Sequence, residues 1–464
     1  MRATAILKAD WKDPVEVLGV FAEEPFALGF LSGGGGPRGR WSYLLRSPDA
    51  VLVVDPQNQS DALGALKALI GEVFAGDPDG PPFQGGVAGL CAYELGDRIE
   101  PLGLGRLDDW PDLACARYPA LLAFDHEARK VLAVGCGGDQ AEATARGRLA
   151  LTWLDEAASA TPSRPLPGAL ARDLTGEAPE TYERGVADVV ARIGAGEIFQ
   201  ANIARRWRGR LAAGVKPFDL LRRLAARSPA PFAAYLRLPD RAVVSNTPER
   251  FIEVRPGAGR LTVETRPIKG TAPRGSDEAH DHSLIQALES SAKDRAENLM
   301  IVDLMRNDLA RVCEAGDVAT PELFRVESFA NVHHLVSTVT GRLAPGRDAI
   351  DLLAATFPPG SITGAPKVQA MKVIAQLEAP RGPFFGAMFW AGFDGGFDSN
   401  VLIRTAAFVI DGDGWDIEAR AGGGVVADSD PVAERLETEA KISALLGALT
   451  ETVSAADLPL GECR

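Results

Sequence analysis

Four carboxylates and two lysines carry most of the chemistry this sequence offers. Asp294 and Glu297 stand three residues apart, and Glu434 and Glu437 repeat that spacing, with Lys441 four residues further on. Residues three or four apart share one face of a helix. Two helices that each present a carboxylate pair can build an oxygen-rich site, and hard oxygen ligands suit Mg2+ better than Zn2+. A solvated helix face with Glu–Lys pairing has the same spacing, and on spacing alone that plainer reading is favoured. Glu249 follows Thr247-Pro248 after a strand-like run, and Lys269 stands beside Gly270 at the end of another. Side chains at strand ends can face a ligand; each is equally an ordinary surface residue. Gly-rich turns at 421–424 and 360–364 precede helices, where backbone N–H groups can bind carboxylates, although tight turns need no ligand.

The elements that would position these groups are legible from periodicity. Val186, Val189, Val190 and Ile193 fall at i, i+3, i+4 and i+7, so 181–193 reads as an amphipathic helix ended by Gly194 and Gly196. A strand follows over 198–207, with Ile198, Gln200 and Asn202 on one face. Further strands are expected at 51–54, 120–124, 242–245, 261–265 and 401–410, and helices at 62–74, 283–313, 365–377 and 431–449. Asp430 suits an N-cap and Pro431 a first helical turn. This mixture of hairpins and helices favours an α+β fold over a doubly wound parallel sheet. The Ala-, Pro-, Ser- and Thr-rich stretch 157–180 reads as a linker between an N-terminal region (1–156) and a C-terminal region (181–449), with 450–464 as a short tail.

Composition narrows the classes. The chain has 464 residues, 46% hydrophobic and 24% charged, with a net charge of −14. That balance argues against a nucleic-acid or anionic-membrane partner, but not against a small anionic substrate. Cys91, Cys115, Cys136, Cys313 and Cys463 are scattered and never form a CxxC pair, which points to a reducing compartment without disulfides or a cysteine zinc site. No apolar run is long enough to span a membrane and the start has no signal-like segment, so a cytoplasmic location is expected. Cys136-Gly137-Gly138-Asp139-Gln140 faintly resembles a glutaminase nucleophile turn, but Val134 stands where glycine is expected and no His-x-Glu follows. It reads as a turn after a strand. His280 and His282 read as solvated loop residues, and Gly33 to Gly36 as a loop.

Taken in order, the segments resemble the chorismate-utilising enzymes: anthranilate synthase component I, aminodeoxychorismate synthase component I, isochorismate synthase and salicylate synthase. The matching blocks include 196–202 around Gln200, Thr247-Pro248-Glu249-Arg250-Phe251, Pro267-Ile268-Lys269-Gly270-Thr271, 294–304, Arg306-Asn307-Asp308 and His334-Leu335. They continue with Gly360-Ser361-Ile362-Thr363-Gly364, Ile403-Arg404-Thr405 and 421–441, and together span nearly all of 180–445. The resemblance implies an α/β/β/α arrangement of packed sheets around a site for chorismate and Mg2+. By matching positions, Glu297 and Glu437 are the implied core metal ligands, with Glu434 and Asp294 supporting them. Arg404, Thr363, Gly270, Thr271 and Gly424 are implied substrate contacts, and arginine suits a carboxylate. Lys441 and His334 match active-site positions. Glu249 matches an acid, and Lys269 a nucleophile.

Two positions bear on the branch. Water-using members carry a lysine where this chain has Gln200, and anthranilate synthases usually carry alanine where it has Lys269. The resemblance therefore leans to the aminodeoxychorismate synthases, which use ammonia. Because the chain lacks a glutaminase apparatus, a separate glutamine amidotransferase subunit is the implied ammonia source. Anthranilate synthase component I and a non-catalytic, chorismate- or partner-binding relative remain as alternatives. The sequence departs from the family pattern at Phe384, where a tyrosine is usual, and at Phe389, where glycine is common. The Leu-Leu-Glu-Ser element of tryptophan-regulated members has no copy at 29–33, which reads Gly29-Phe30-Leu31-Ser32-Gly33.

Overall fold

Long apolar strands, rich in alanine, valine and leucine, pair into two antiparallel sheets. The computed structural model describes residues 2–33, 39–160, 168–257, 259–328 and 332–451. The first sheet runs in the order β1 (Ala3–Asp10), β8 (Lys130–Gly137), β7 (Ala120–Asp125), β3 (Trp41–Leu45), β2 (Leu28–Leu31), β11 (Ala233–Arg237), β12 (Arg241–Ser245), β21 (Thr405–Asp411), β22 (Gly414–Val425), β10 (Gln200–Leu211) and β18 (Gly364–Ala365), with β9 (Ala171–Gly176) also on β10. The second runs β15 (Ile268–Pro273), β17 (Val332–Arg342), β14 (Arg260–Thr265), β13 (Arg250–Gly257), β20 (Phe397–Asn400), β19 (Ala387–Gly392), β5 (Gly86–Cys91), β6 (Leu113–Tyr118) and β4 (Ala50–Val54), with β16 (Ala319–Ser328) also on β17.

Helices flank this pair of sheets. α1 (Pro14–Phe21), α4 (Gln140–Ser159), α5 (Pro179–Gly194), α6 (Pro217–Arg227) and α11 (Pro431–Thr450) pack on the first sheet. α2 (Ala62–Ile70), α7 (Glu278–Ser290) and α8 (Ala292–Ala310) contact the second, and α9 (Ala349–Thr356) packs on α2 and α8. The short α3 (Leu95–Ile99) and α10 (Lys367–Leu377) complete the set. One buried cluster joins the sheets, uniting Leu28, Tyr43 and Val243 with Leu90, Phe389 and Phe397. A second lies between the first sheet and its helices, around Phe21, Trp153, Leu221 and Leu445. The expected α+β class and packed-sheet layering are therefore what the chain adopts.

Several expected elements shift. The helix over 283–313 is two helices, because Ser291 leaves helical geometry and its Oγ accepts from the Asp294 N–H at 3.2 Å, capping α8. The strand over 401–410 begins at Thr405. His280 and His282 lie on α7 rather than in a loop. Within 157–180, residues up to Ser159 belong to α4, 171–176 form β9 and α5 opens at Pro179; 161–167 lie outside the described residues. Both sheets draw strands from before and after it. Of the run 33–36 only Gly33 is described, and the tail from 452 lies outside the described residues. Among the described residues no helix is long and apolar enough to cross a membrane.

Candidate active site

β10, β18 and β22 form one wall. Gln200 opens β10 with its side chain fully buried, and Asn202 two residues on lies opposite Gly424 of β22. A Cβ at Gly424 would sit 2.7 Å from Gln200 Nε2 and 3.0 Å from Lys269 Nζ, so the bare backbone there lets an amide and an amine converge. Neither polar atom of the Gln200 side chain has a hydrogen-bond partner among the described residues. A buried donor and acceptor left unmade are costly, and such groups call for an explanation in terms of what else they bind. Gly364, at φ +140°, presses against the same strand: a Cβ there would lie 2.2 Å from the Gln200 carbonyl oxygen.

β15 and α8 supply the opposite wall. Gly270 takes φ +86°, and a Cβ on it would stand 3.0 Å from the side chain of Asp294, in the first turn of α8. Glu297, one turn on, lies 4.0 Å from Lys269 Nζ and 3.9 Å from Lys293 Nζ. Asn298 fixes α8 to β17, donating to Leu335 O and accepting from Ser337 Oγ. Thr271 pairs with His334 across β15 and β17, their Oγ1 and Nδ1 being 2.9 Å apart.

The first turns of α11 reach the same place. Its N-cap is Asp430, which accepts from the Ala433 N–H at 2.8 Å. Glu434 is buried and accepts from Ser429 Oγ at 2.7 Å. Glu437 pairs with Lys441 at 2.7 Å, and Lys441 also donates to Gly422 O. Glu249, buried just before β13, accepts from Ser361 Oγ at 2.9 Å. Thr363 is buried, donating to Pro359 O and accepting from Tyr93 Oη. Arg404 holds φ +52°, and no carboxylate among the described residues pairs with its guanidinium. Burial alone lowers its pKa.

These groups perturb one another. Burial lowers the Lys269 pKa; Glu297, Glu249 and Glu437 oppose this, and Lys441 reinforces it. Burial raises Glu249 to about 7 in spite of Ser361, Lys269 and Lys441. Burial likewise raises Glu297 against the pull of Lys269 and Lys293, with Asp294 and Glu434 adding to the rise. For Glu437, whose side chain is 54% exposed, partial desolvation pushes upward, but Lys441 together with Lys269 and Lys293 brings the net shift down. Among the described residues no three carboxylate, thiol or imidazole groups converge tightly enough to hold a metal ion. The donor chemistry nevertheless fits a hard divalent cation, because Glu297 already feels two neighbouring carboxylates whose repulsion a cation would relieve.

The structure brings Gln200, Lys269, Glu249, Glu297, Glu434, Glu437 and Lys441 together about Gly423 and Gly424, with Asp294 against Gly270 and His334 on Thr271, whereas no contact among the described residues ties the Arg404 side chain to them. Sequence reasoning missed Ser361, Ser429, Lys293 and Arg381. Arg381 is fully buried, bonds to Glu378, Ile362 O and Asn202 O, and lies over the rings of Tyr93 and Phe385. It ties the 360–364 turn to β10. Phe384 lies under Arg420, and Phe389 is fully buried and stacked on Phe397 at 5.7 Å; both belong to the cluster between the sheets. Cys136 donates to Gln84 O from a buried position that raises its pKa to about 11, which suits no nucleophile. A separate cavity of about 280 Å³, lined by residues such as Phe30, Trp41, Arg250 and Trp390, contains none of the expected site residues.

The convergence over Gly424 gives a direct test. Gly424→Ala should displace the Gln200 amide and the Lys269 amine, both of them flexible side-chain ends, while leaving the sheet intact. We expect kcat/KM to fall by roughly a hundredfold, the cost of misplacing reacting groups by about 1 Å, with little change in Tm. Kinetics and thermal melting on one preparation check this; unchanged kinetics would remove the two side chains from the reaction.

Known proteins resemble the chain over most of its length. The family described as chorismate binding enzyme matches residues 35–447. Aminodeoxychorismate synthase component 1 of Klebsiella aerogenes is 42% identical over 372 residues, 79% of this chain and 77% of that protein. Anthranilate synthase component 1 of Streptomyces coelicolor is 39% identical over 433 residues, covering 90% of this chain and 82% of that one. The crystal structure of anthranilate synthase component I from Streptococcus pneumoniae superposes with a TM-score of 0.76 at 28% identity, over 89% of this chain and 93% of that chain. The chain belongs to the family of chorismate binding enzymes.

Proposed function

We propose that the protein converts chorismate and ammonia to 4-amino-4-deoxychorismate, drawing ammonia from a separate glutamine amidotransferase subunit and requiring Mg2+. The observation that carries the reading is the largely buried Lys269 amine set against Gly424 beside Gln200, with Glu249 electrostatically coupled to it. Four curated relatives described as aminodeoxychorismate synthase component 1 are 35–42% identical over about 80% of the chain. Anthranilate synthases also match, so the choice of branch rests on Lys269.

Hydroxide leaves poorly, and the reaction divides into two displacements. Lys269, as the neutral amine, forms a C–N bond at the far end of the substrate's conjugated diene, and the double bonds shift as the ring hydroxyl departs. Glu249 supplies the proton that turns this hydroxyl into water, and the proton that the alkylated lysine nitrogen then loses restores the Glu249 acid. Ammonia adds at the vacated carbon as the lysine C–N bond breaks, and one ammonia proton passes to the departing lysine nitrogen, restoring the amine and the diene. Gln200, with a free donor and acceptor and no basic group, can orient ammonia but cannot deprotonate water. Arg404 would hold a substrate carboxylate, and Thr363 would contact the substrate. Glu297 and Glu437 would hold the cation, supported by Glu434 and Asp294. When bound, Mg2+ supplies positive charge for a substrate carboxylate.

The test is incubation with chorismate, Mg2+ and ammonium, and identification of the product by mass. We expect a product that retains the pyruvyl group, no turnover in EDTA, recovery with added Mg2+, and no use of glutamine by the chain alone. Glu297→Gln should raise the Mg2+ requirement by about tenfold or more. Anthranilate as product would move the chain to the neighbouring branch, and full activity in metal-free buffer would remove the cation.

A further inference from the structure

Tyr182 stands in the first turn of α5, which packs against α11 and β10. Its side chain is buried, and its hydroxyl has no hydrogen-bond partner among the described residues. Phenylalanine would fill the same space without burying an unpaired donor, so packing alone gives no reason for the oxygen.

The hydroxyl lies in a hollow over Gly423. A Cβ built on that glycine would sit 2.7 Å from Glu434 Oε2, 3.7 Å from Tyr182 Oη and 3.9 Å from Lys441 Nζ. Ser429 Oγ engages the other Glu434 oxygen, Oε1, so Oε2 is the oxygen turned to the hollow. Lys441 is committed to Gly422 O and Glu437. The Gly423 N–H bears on the phenol oxygen without a hydrogen bond of ordinary geometry, and the phenol proton goes to no acceptor among the described residues. The charged groups felt by the phenol are Glu434, Glu378 and Glu437, all of them acceptors. A buried donor therefore faces a buried carboxylate across a hollow that only glycine leaves open.

We infer that Tyr182 is a positioning residue for Glu434, its hydroxyl closing onto Oε2 when the carboxylate turns to its ligand. The inference rests on the proposed role of Glu434 in supporting Mg2+. Partners that orient a ligating carboxylate typically change metal affinity by about 10–100-fold when lost.

Tyr182→Phe tests it. Without metal, Tm should be unchanged or higher than in the wild type. The Mg2+ concentration for half-maximal activity should rise about tenfold, with kcat at saturating Mg2+ nearly retained. The rise in Tm that Mg2+ gives the protein alone should shrink correspondingly. In a Glu434→Gln background the same substitution should add nothing, because both act through one carboxylate. An unchanged Mg2+ requirement and an unchanged Mg2+-induced rise in Tm would overturn the inference. So would a lower metal-free Tm with a normal Mg2+ response, which marks a purely structural hydroxyl. If the wild type itself shows no Mg2+-induced rise in Tm, the Mg2+ reading fails, and the inference with it.

Discussion

Lys269→Ala is expected to lower kcat by about a thousandfold or more while weakening chorismate binding far less, because it removes one of two covalent steps and leaves direct displacement of hydroxide. A free lysine amine titrates near about 10.4 and is almost wholly protonated at neutral pH. Burial depresses Lys269 below that value, and Lys441 adds to the effect, so the neutral amine is more accessible here than on a surface. Glu297 at 4.0 Å pulls the other way, and a cation drawing on that carboxylate would weaken the opposition. Intact-protein mass after rapid quench of enzyme, chorismate and Mg2+ without ammonia reads the covalent step directly. The adduct should weigh chorismate minus water, map to the peptide containing Lys269 and be absent from Lys269→Ala. Near-normal turnover by that variant, with no adduct after quench, would reduce the lysine to a binding contact.

Glu249→Gln should cost about 10²–10⁴-fold in kcat, the usual span for a positioned general acid, while chorismate still binds. Glutamine keeps the size of the side chain and can still bond to Ser361 but cannot give up a proton. Equal loss of binding and turnover would make Glu249 positional instead. The pH dependence follows from burial. Glu249 rests near 7 rather than 4.5, so the acid is available below about pH 7, and kcat/KM should fall as pH rises through that value. Stability moves with it. The folded protein holds Glu249 above its unfolded value, so its contribution is complete below about pH 4.5 and is lost as pH rises to about 7. Glu249→Gln should therefore gain Tm over the wild type at pH 8 and little at pH 5.

How much of this was legible depended on the range of the interaction. The start of α11 was written locally: Asp430 caps and Pro431 begins the helix, as those residue types do elsewhere. The break between α7 and α8 was missed because neither glycine nor proline marks it. Yet Ser291 with Asp294 three residues on is itself a local N-terminus signal. The carboxylate pairs were visible, but spacing could not separate a site from a solvated face; their nearness to Lys269, with Glu297 at 4.0 Å, is a property of the fold alone. Tyr182 shares a helical face with Val186 and Val189, which reads as core until its hydroxyl is found without a partner. Arg381 could not have been read as the support of a turn, since its partners lie up to 179 residues away.

The interleaving of strands has a consequence for how the protein is made. One edge of β5 at 86–91 pairs with nearby β6, but its other edge waits for β19 at 387–392, and β10 is completed by β22 at 414–425. Such contact order makes folding slow, and a nascent chain must shelter unpaired strand edges until some 300 further residues have left the ribosome. A fragment of 181–451 would keep every residue of the proposed site, yet it would present the β19 edge that β5 normally covers. The residues of the proposed site are contiguous as a list and inseparable as a fold: a split between them and residues 1–156 would leave a strand edge uncovered in each piece.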